Sequence, residues 1–488
     1  MAFRSADIID NPIFMKHFRA RLRRQHLIPS VAVAVIMASC VLWAGFNLGG
    51  IKNGVVFYIL FFAQVGIVFL VGTSQVAVSI GRANELGILD FHRVSPLSAT
   101  AQTIGFLIGA PIREYLVAAC LIPFALVVSA MGPPGPFSYG ILLIVLLSST
   151  LLFHTLAVIL GLVSTKGQNA AGGVVGLIVL SHIGSGFVFV GVALPGMLTV
   201  IPTFLQLMEH LPPGQAQLGL PKFFGVELPL SLQSLIYQVP MFLFFLVAAS
   251  NRMRSDWAHL YSKRTAAAFL TVIASLTMGS MVGHAQLPQR LFVPVMLYVL
   301  VPVAMMLLMA VTPNSGEFAN GHRRAEKMNL LKPSMWTDLA SNRGIVIVFC
   351  GIIVSSVQVA IRMQGAPRFD ARLWIMTMTA FCVVAYFGFA LQLFQLAFGR
   401  RARPYLMLCL FLMWLLPIVI GVLASLTFGE QVSRVIRNLS PIIGIASGSW
   451  PALVSSLVLL FFFGGLLLVT EKRIVDRLRP AEFGFDDL

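Results

Sequence analysis

Charge is what this sequence has least of. Asp, Glu, Lys and Arg make up 11% of its 488 residues, against about 25% in soluble globular chains. Too little polar surface remains to cover a water-soluble body. Carboxylates are the scarcer sign, 18 against 34 Lys and Arg, and their placement excludes more. All but one fall in polar segments between apolar runs, and Glu114 alone sits at the edge of a run, beside Arg113. Carriers coupled to protons or sodium commonly take up the ion on an intramembrane Asp or Glu, so that coupling is disfavoured.

Other absences narrow the chemistry further. The five cysteines (Cys40, Cys120, Cys350, Cys382, Cys409) lie in apolar runs with no CxxC or Cys/His spacing. They read as small buried hydrophobes, with no metal or disulfide implied. No paired carboxylates, nucleophile–base set or metal cluster assembles, as a hydrolase or transferase requires. His154 and His182 stand inside apolar runs; they are read as neutral rings bonded to nearby backbone, with a relay between them as the alternative. The phosphate-cradling pattern GxxxxGK[ST] is missing, and the nearest string, Gly161 to Lys166, lacks the glycine before the lysine. The chain is therefore read as having no catalytic site, no metal and no cofactor of its own.

What is present is apolar sequence: 58% hydrophobic residues and a mean hydropathy of +0.89. A helix crosses a bilayer core in about 20 apolar residues. Runs that qualify lie near 28–47, 54–80, 112–131, 137–163, 170–194, 233–250, 266–284, 291–311, 344–361, 373–398, 404–428 and 448–470. This predicts an all-α polytopic membrane protein with about 12 transmembrane helices, the first of them uncleaved. The net charge of +16 does not imply nucleic acid, because most of the basic residues flank apolar runs. There they set topology and meet anionic lipid headgroups. With both termini placed in the cytoplasm, 26 of the 34 Lys and Arg fall on that side, which fixes the orientation by the positive-inside rule. Arg362, Arg368 and Arg372 dissent.

Loop lengths repeat. The segments after the second and eighth spans (81–111 and 312–343) are long and cytoplasmic, and those after the fifth and eleventh (195–232 and 429–447) are long and external. Two parallel six-span halves, 1–250 and 251–488, account for both. Small-residue pairs (Gly45/Gly49, Gly105/Gly109, Gly172/Gly176) mark faces where helix backbones approach closely.

Two polar segments stand out. Residues 11–27 predict a basic amphipathic helix capped by Asn11, with Pro12 at its first position. Phe14, Phe18 and Leu22 form its apolar stripe, and Lys16, Arg19, Arg21, Arg23 and Arg24 surround it. Such a helix lies in the headgroup layer. Residues 81–98 predict a short helix between two spans, closed by Pro96, with Leu86 and Leu89 as an apolar edge and Arg82, Glu85, Asp90 and Arg93 exposed. Held between two spans, it is a rigid lever.

An Asn-Pro amphipathic helix, two spans, a Glu-x-Gly-x-Leu element (Glu85, Gly87, Leu89) and then Ser95-Pro96-Leu97-Ser98 together resemble the ABC-2 type permeases. These are membrane subunits of ATP-binding cassette exporters, and Arg113 matches the basic residue at the next span's entrance. The resemblance implies an elbow helix at 11–27 and a coupling helix at 84–94, with Glu85, Leu86, Gly87, Leu89, Asp90, Arg93 and Pro96 docking a separate ATPase subunit. ATP and magnesium would then belong to that partner. It also implies membrane-embedded external segments before the last span of each half, residence in the plasma membrane, and export of an unidentified substrate. Subunits of this family commonly have six spans and pair as homo- or hetero-oligomers, whereas twelve spans imply a fused pair with 312–343 as the second docking loop. That loop lacks the Glu-x-Gly-x-Leu and Ser-Pro-Leu-Ser elements. A twelve-span secondary carrier and a non-transporting scaffold subunit are the alternatives.

Overall fold

A computed structural model describes residues 11–51, 54–164, 167–183, 188, 193–208, 222–282, 289–330, 332–364 and 370–478. Among these residues, ten helices are long and apolar enough to cross a membrane. The protein is thus a multi-pass α-helical membrane protein. Ten of the twelve apolar runs lie on those helices. The run at 170–194 lies on a helix of 17 residues, Gly167–Ile183, and residues 184–187 fall outside the described set. The run at 266–284 lies on Lys263–Met281, whose Ala, Thr and Ser residues lower its hydropathy.

The chain divides into two compact units, Met1–Leu260 and Tyr261–Leu488. Unit 1 begins with α1 (Pro12–Arg21) and α2 (Arg24–Leu48). The second span is built from α3 (Val55–Val65), a π-helical turn at Gly66–Gly72, and α4 (Thr73–Glu85). After it come α5 (Ile88–Val94), α6 (Ala99–Gly109), α7 (Ile112–Cys120), α8 (Ile122–Met131), α9 (Pro136–Val163) and α10 (Gly167–Ile183). Two short helices, α11 (Leu194–Met197) and α12 (Ile201–Leu207), and a two-stranded hairpin (Lys222–Phe223 with Val226–Glu227) precede α13 (Leu230–Arg254). The central helix is α9, which packs against α4, α10 and α13. Its start is set locally, by Gly135 at φ 84° and Pro136 at the first helical position. An aromatic cluster fills the unit, with Phe61 stacked on Phe204 at 5.4 Å and Phe57 edge-on to Tyr139 at 5.4 Å.

Unit 2 runs α14 (Lys263–Met281), α15 (Gln289–Val311), α16 (Ser315–Lys327), α17 (Arg343–Met363), α18 (Ala371–Phe398), α19 (Ala402–Trp414), α20 (Leu416–Arg437), α21 (Pro441–Ser447) and α22 (Trp450–Leu478). Here α18 is central and packs against α15, α17, α21 and α22. Its 28 residues equal the length of α9. Trp43, Leu48, Leu426 and Phe461 stand more than half exposed on the long helices. In water such a surface would aggregate, and in a bilayer it meets lipid.

Candidate functional site

The segment between α4 and α6 is a turn and a short helix. α4 ends at Glu85, and Gly87 takes φ 67°, ψ 9°, a left-handed conformation that glycine adopts without Cβ strain. α5 then runs from Ile88 to Val94, four residues shorter at its start than the expected helix at 84–94. Ser95 is extended before Pro96, which stops the helix. The Ser98 hydroxyl accepts from Ala101 N and caps α6.

Two expectations about exposure are corrected. Leu89 does not share an apolar edge with Leu86: it is 1% exposed, whereas Leu86, Phe91 and Val94 are 72%, 72% and 83% exposed. The reason is direction, because Gly87 turns α5 so that Leu89 faces the bundle. Nor is Arg93 a solvated residue. Its guanidinium donates to Asp90 at 2.6 Å, to Met253 O at 3.3 Å and to Asp256. It thereby ties α5 to the end of α13, 160 residues on. Glu85, Asp90 and Pro96 are exposed, as is Arg82.

α5 is also held from α6. Gln102 donates to the carbonyls of His92 at 2.8 Å and Leu97 at 2.9 Å, and the His92 ring lies edge-on to Phe106. Burial, with Lys16 nearby, depresses the His92 imidazole below its ordinary range. α5 is therefore tied to α6 and to the foot of α13, while Leu86 in the turn before it and its own Phe91 and Val94 are exposed. Trp257, next to Asp256, is exposed as well.

The N-terminal helix starts where expected. Asn11 accepts from Ile13 N and Phe14 N, and Pro12 occupies the first position. It ends early, at Arg21, because Leu22 and Arg23 leave helical geometry before α2 begins at Arg24. Its packed face also differs from the predicted stripe. Asn11 donates to Ala101 O at 2.6 Å, Ile13 is buried, and His17 lies 5.2 Å from Phe106. Phe18, Arg19 and Arg23 are exposed, while Phe14 and Leu22 are half-buried. Gly105 and Gly109 decide this: a Cβ on Gly105 would meet Asn11 Oδ1 at 2.8 Å, and one on Gly109 would meet Phe14 Cα at 3.3 Å. This pair seats a helix, Gly45 lies against Val56 of α3 with its partner Gly49 open, and Gly172 and Gly176 face open space. Arg21 turns inward to Gln75 at 2.7 Å.

The segment before the last helix of each unit doubles back. In unit 1, Gln238 donates to Met197 O at 3.0 Å and Thr199 O at 3.3 Å, and Thr203 pairs with Ser234. Gln238 lies eight residues inside α13, about 12 Å along its axis. Met208, at the other end of α12, reaches Gly54 at the head of α3. α11 and α12 thus climb from within the span to its end. In unit 2, Gly429 takes φ 80°, ψ 169°, and the chain reverses. A Cβ on Gly421 would meet Arg437 N at 3.0 Å and Ser433 O at 3.1 Å, and Ser440 donates to Trp414 O at 2.6 Å. Residues 430–440 therefore fold back along the helix that precedes them, and Tyr298 donates to Ile442 O at 2.7 Å. Arg372, one of the dissenting arginines, donates to Ser447 O and closes the end of α21.

The 312–343 segment contains α16, which opens on a capping box between Asn314 and Glu317. A Cβ on Gly321 would meet Leu339 O at 2.6 Å, so the rest of the loop lies back across α16. Lys263 is buried beneath it and donates to Ala340 O at 2.6 Å and Ser341 O at 3.1 Å. Burial pulls its ammonium down to about 8, against the opposing pull of Asp338 and Glu471. Composition gave no sign of this lysine, nor of Glu471, because both sit at helix ends that read as solvated.

Glu114 is 3% exposed and paired with Arg113 at 2.6 Å. Each of the two histidines bonds a backbone carbonyl. His182 Nδ1 reaches Ile178 O. His154 Nε2 donates to Val68 O at 3.1 Å, and Nδ1 shares a hydrogen bond with the Tyr115 hydroxyl at 2.8 Å. Val68 sits in the π-helical turn, whose wider winding displaces the carbonyl that His154 then bonds. Among the described residues, no group of three His, Cys, Asp or Glu is placed to hold a metal. No family model matches the chain, and no curated protein or solved structure is significantly similar to it.

Proposed function

We propose that the chain is the permease subunit of an ATP-binding cassette exporter of the ABC-2 type. The observation that carries this reading is α5. It is a short helix that leaves Phe91 and Val94 exposed, with Leu86 exposed in the turn before it, while Arg93 clamps it to Asp256 beyond α13. Exposed apolar and aromatic side chains on an otherwise polar segment suit a protein partner, since aromatic anchors dominate such interfaces. A partner that pushes on α5 moves α4, α6 and α13 together. The doubled-back segments before α13 and α22 support the same reading, because in each the chain turns back against the helix beside it.

In this reading the basic ends of the helices are cytoplasmic, the membrane is the plasma membrane, and twelve crossings form two halves that serve as a fused pair. The separation into two compact units at residue 260 favours the fused arrangement. ATP is hydrolysed by a separate cassette subunit docked on Glu85, Leu86, Gly87, Asp90, Phe91, Val94 and Pro96. Arg93 and Leu89 anchor the helix from behind. The loop at 312–343, lying back across α16, presents a different surface, so the two halves dock the ATPase unequally.

The test is purification with a candidate ATPase. Wild type retains the partner, and Phe91→Asp loses it while still folding. Uptake of substrate by the chain alone under a proton gradient would overturn the reading in favour of a secondary carrier.

A further inference from the structure

The basic end of unit 2 contains a chamber of about 940 Å³ lined by His322, Lys332, Arg343, Glu471, Lys472 and Asp476 over an apolar floor that includes Ile347 and Leu468. A second hollow of about 380 Å³ begins on the same two residues, Ile347 and Leu468, and continues between α17, α18 and α22 past Cys350, Phe461, Gly464 and Gly465. The two hollows adjoin at Ile347 and Leu468. Phe461, Gly464/Gly465, Leu468, Glu471/Lys472 and Val475/Asp476 recur at three- and four-residue spacing, so they form one stripe along α22. Arg343, Gly344, Ile347 and Cys350 form the facing stripe on α17. The apolar part, from Phe461 to Leu468, is about 10 Å long, and the charged part follows directly.

Charge at the mouth favours an anion. Glu471 is already engaged by the Ser341 hydroxyl and by Arg343, whose fork keeps further donors. Lys332 and Lys472, with His322, then face the single exposed carboxylate of Asp476. The hollow itself is real space: a Cβ on Gly465 would meet no atom within 4 Å, and Gly464 meets Phe389 only at 3.5 Å. Ile347, Phe461 and Leu468 are largely exposed, so the groove opens sideways to the bilayer.

We propose that this groove binds one anionic phospholipid, its phosphate among Arg343, Lys332 and Lys472 and an acyl chain laid along Gly464 and Gly465. The site is independent of ATPase docking and lies outside α5. A cationic mouth above an apolar trough matches the two ends of such a lipid and of no purely soluble ligand.

The experiment is native mass spectrometry of the full-length protein with phosphatidylglycerol or phosphatidylcholine of equal chain length. Wild type retains one phosphatidylglycerol that Lys332→Glu/Lys472→Glu loses, with affinity reduced about tenfold or more. Gly465→Leu, which fills the trough, loses the same lipid with an unchanged melting temperature. Should Gly465→Leu fold poorly, the double lysine variant on the surface still reads the site. Equal retention of the two lipids, or wild-type stoichiometry in the variants, overturns the proposal. Displacement of the lipid by inorganic phosphate at equal concentration, unaffected by Gly465→Leu, also overturns it and points to a soluble anion.

Discussion

His17 shows how one buried ring makes stability depend on pH. Burial, with Lys16, Arg21 and His92 nearby, lowers its pKa from 6.5 to about 4. The unfolded chain binds a proton there below about 6.5, and the folded chain does so only near 4. Its contribution to stability is therefore complete above pH 6.5 and is lost as pH falls toward 4. The melting temperature in detergent is expected to drop across that window, and His17→Phe, which keeps the contact with Phe106, to flatten the drop. An unchanged slope in the variant would reject the assignment. Arg93 is the other residue on which an outcome turns. Its ion pairs involve exposed carboxylates and are worth about 1 kcal/mol or less in stability. Arg93→Ala should leave ATPase co-purification intact yet uncouple ATP hydrolysis from transport, which separates the docking surface from the lever behind it.

At the level of elements, glycines decide how helices meet and where the chain reverses. Replacing Gly105 or Gly109 by Leu forces α1 off α6 and is expected to cost about 1–3 kcal/mol. Gly172→Leu and Gly176→Leu, facing open space, should cost far less. A urea or thermal series on the four variants checks the contrast. Gly429 allows the reversal inside α20, and its backbone lies in a region that only glycine adopts readily. Gly429→Ala is expected to lose about 1–3 kcal/mol and to speed amide hydrogen exchange across residues 430–440. Both effects are invisible in a hydropathy profile, because the same glycine spacing occurs where no helix packs.

For the molecule as a whole, orientation is the testable quantity. Basic residues concentrate at one end of the apolar helices, so reporters fused at the two termini should both read as cytoplasmic. Termini on opposite faces would require an odd number of crossings and a different assignment around 167–183 or Lys263–Met281, the two helices that fall short as spans.

The sequence alone determined the solvent and the class of fold. Long apolar runs with 11% charged residues admit only hydrogen-bonded helices in a bilayer, and the Asn11–Pro12 start and the Pro96 stop were legible because caps are local chemistry. Tertiary structure decided which side of each short helix is buried. Leu89 turned inward and Phe91 outward because Gly87 redirects α5, and Ile13 packed while Phe18 stayed exposed because Gly105 and Gly109 lie opposite the start of α1. The pairing of Arg93 with Asp256 and of Glu471 with Arg343 belongs to the same class. Contacts across more than a hundred residues follow from how helices are placed, and periodicity along one helix carries no information about its neighbour.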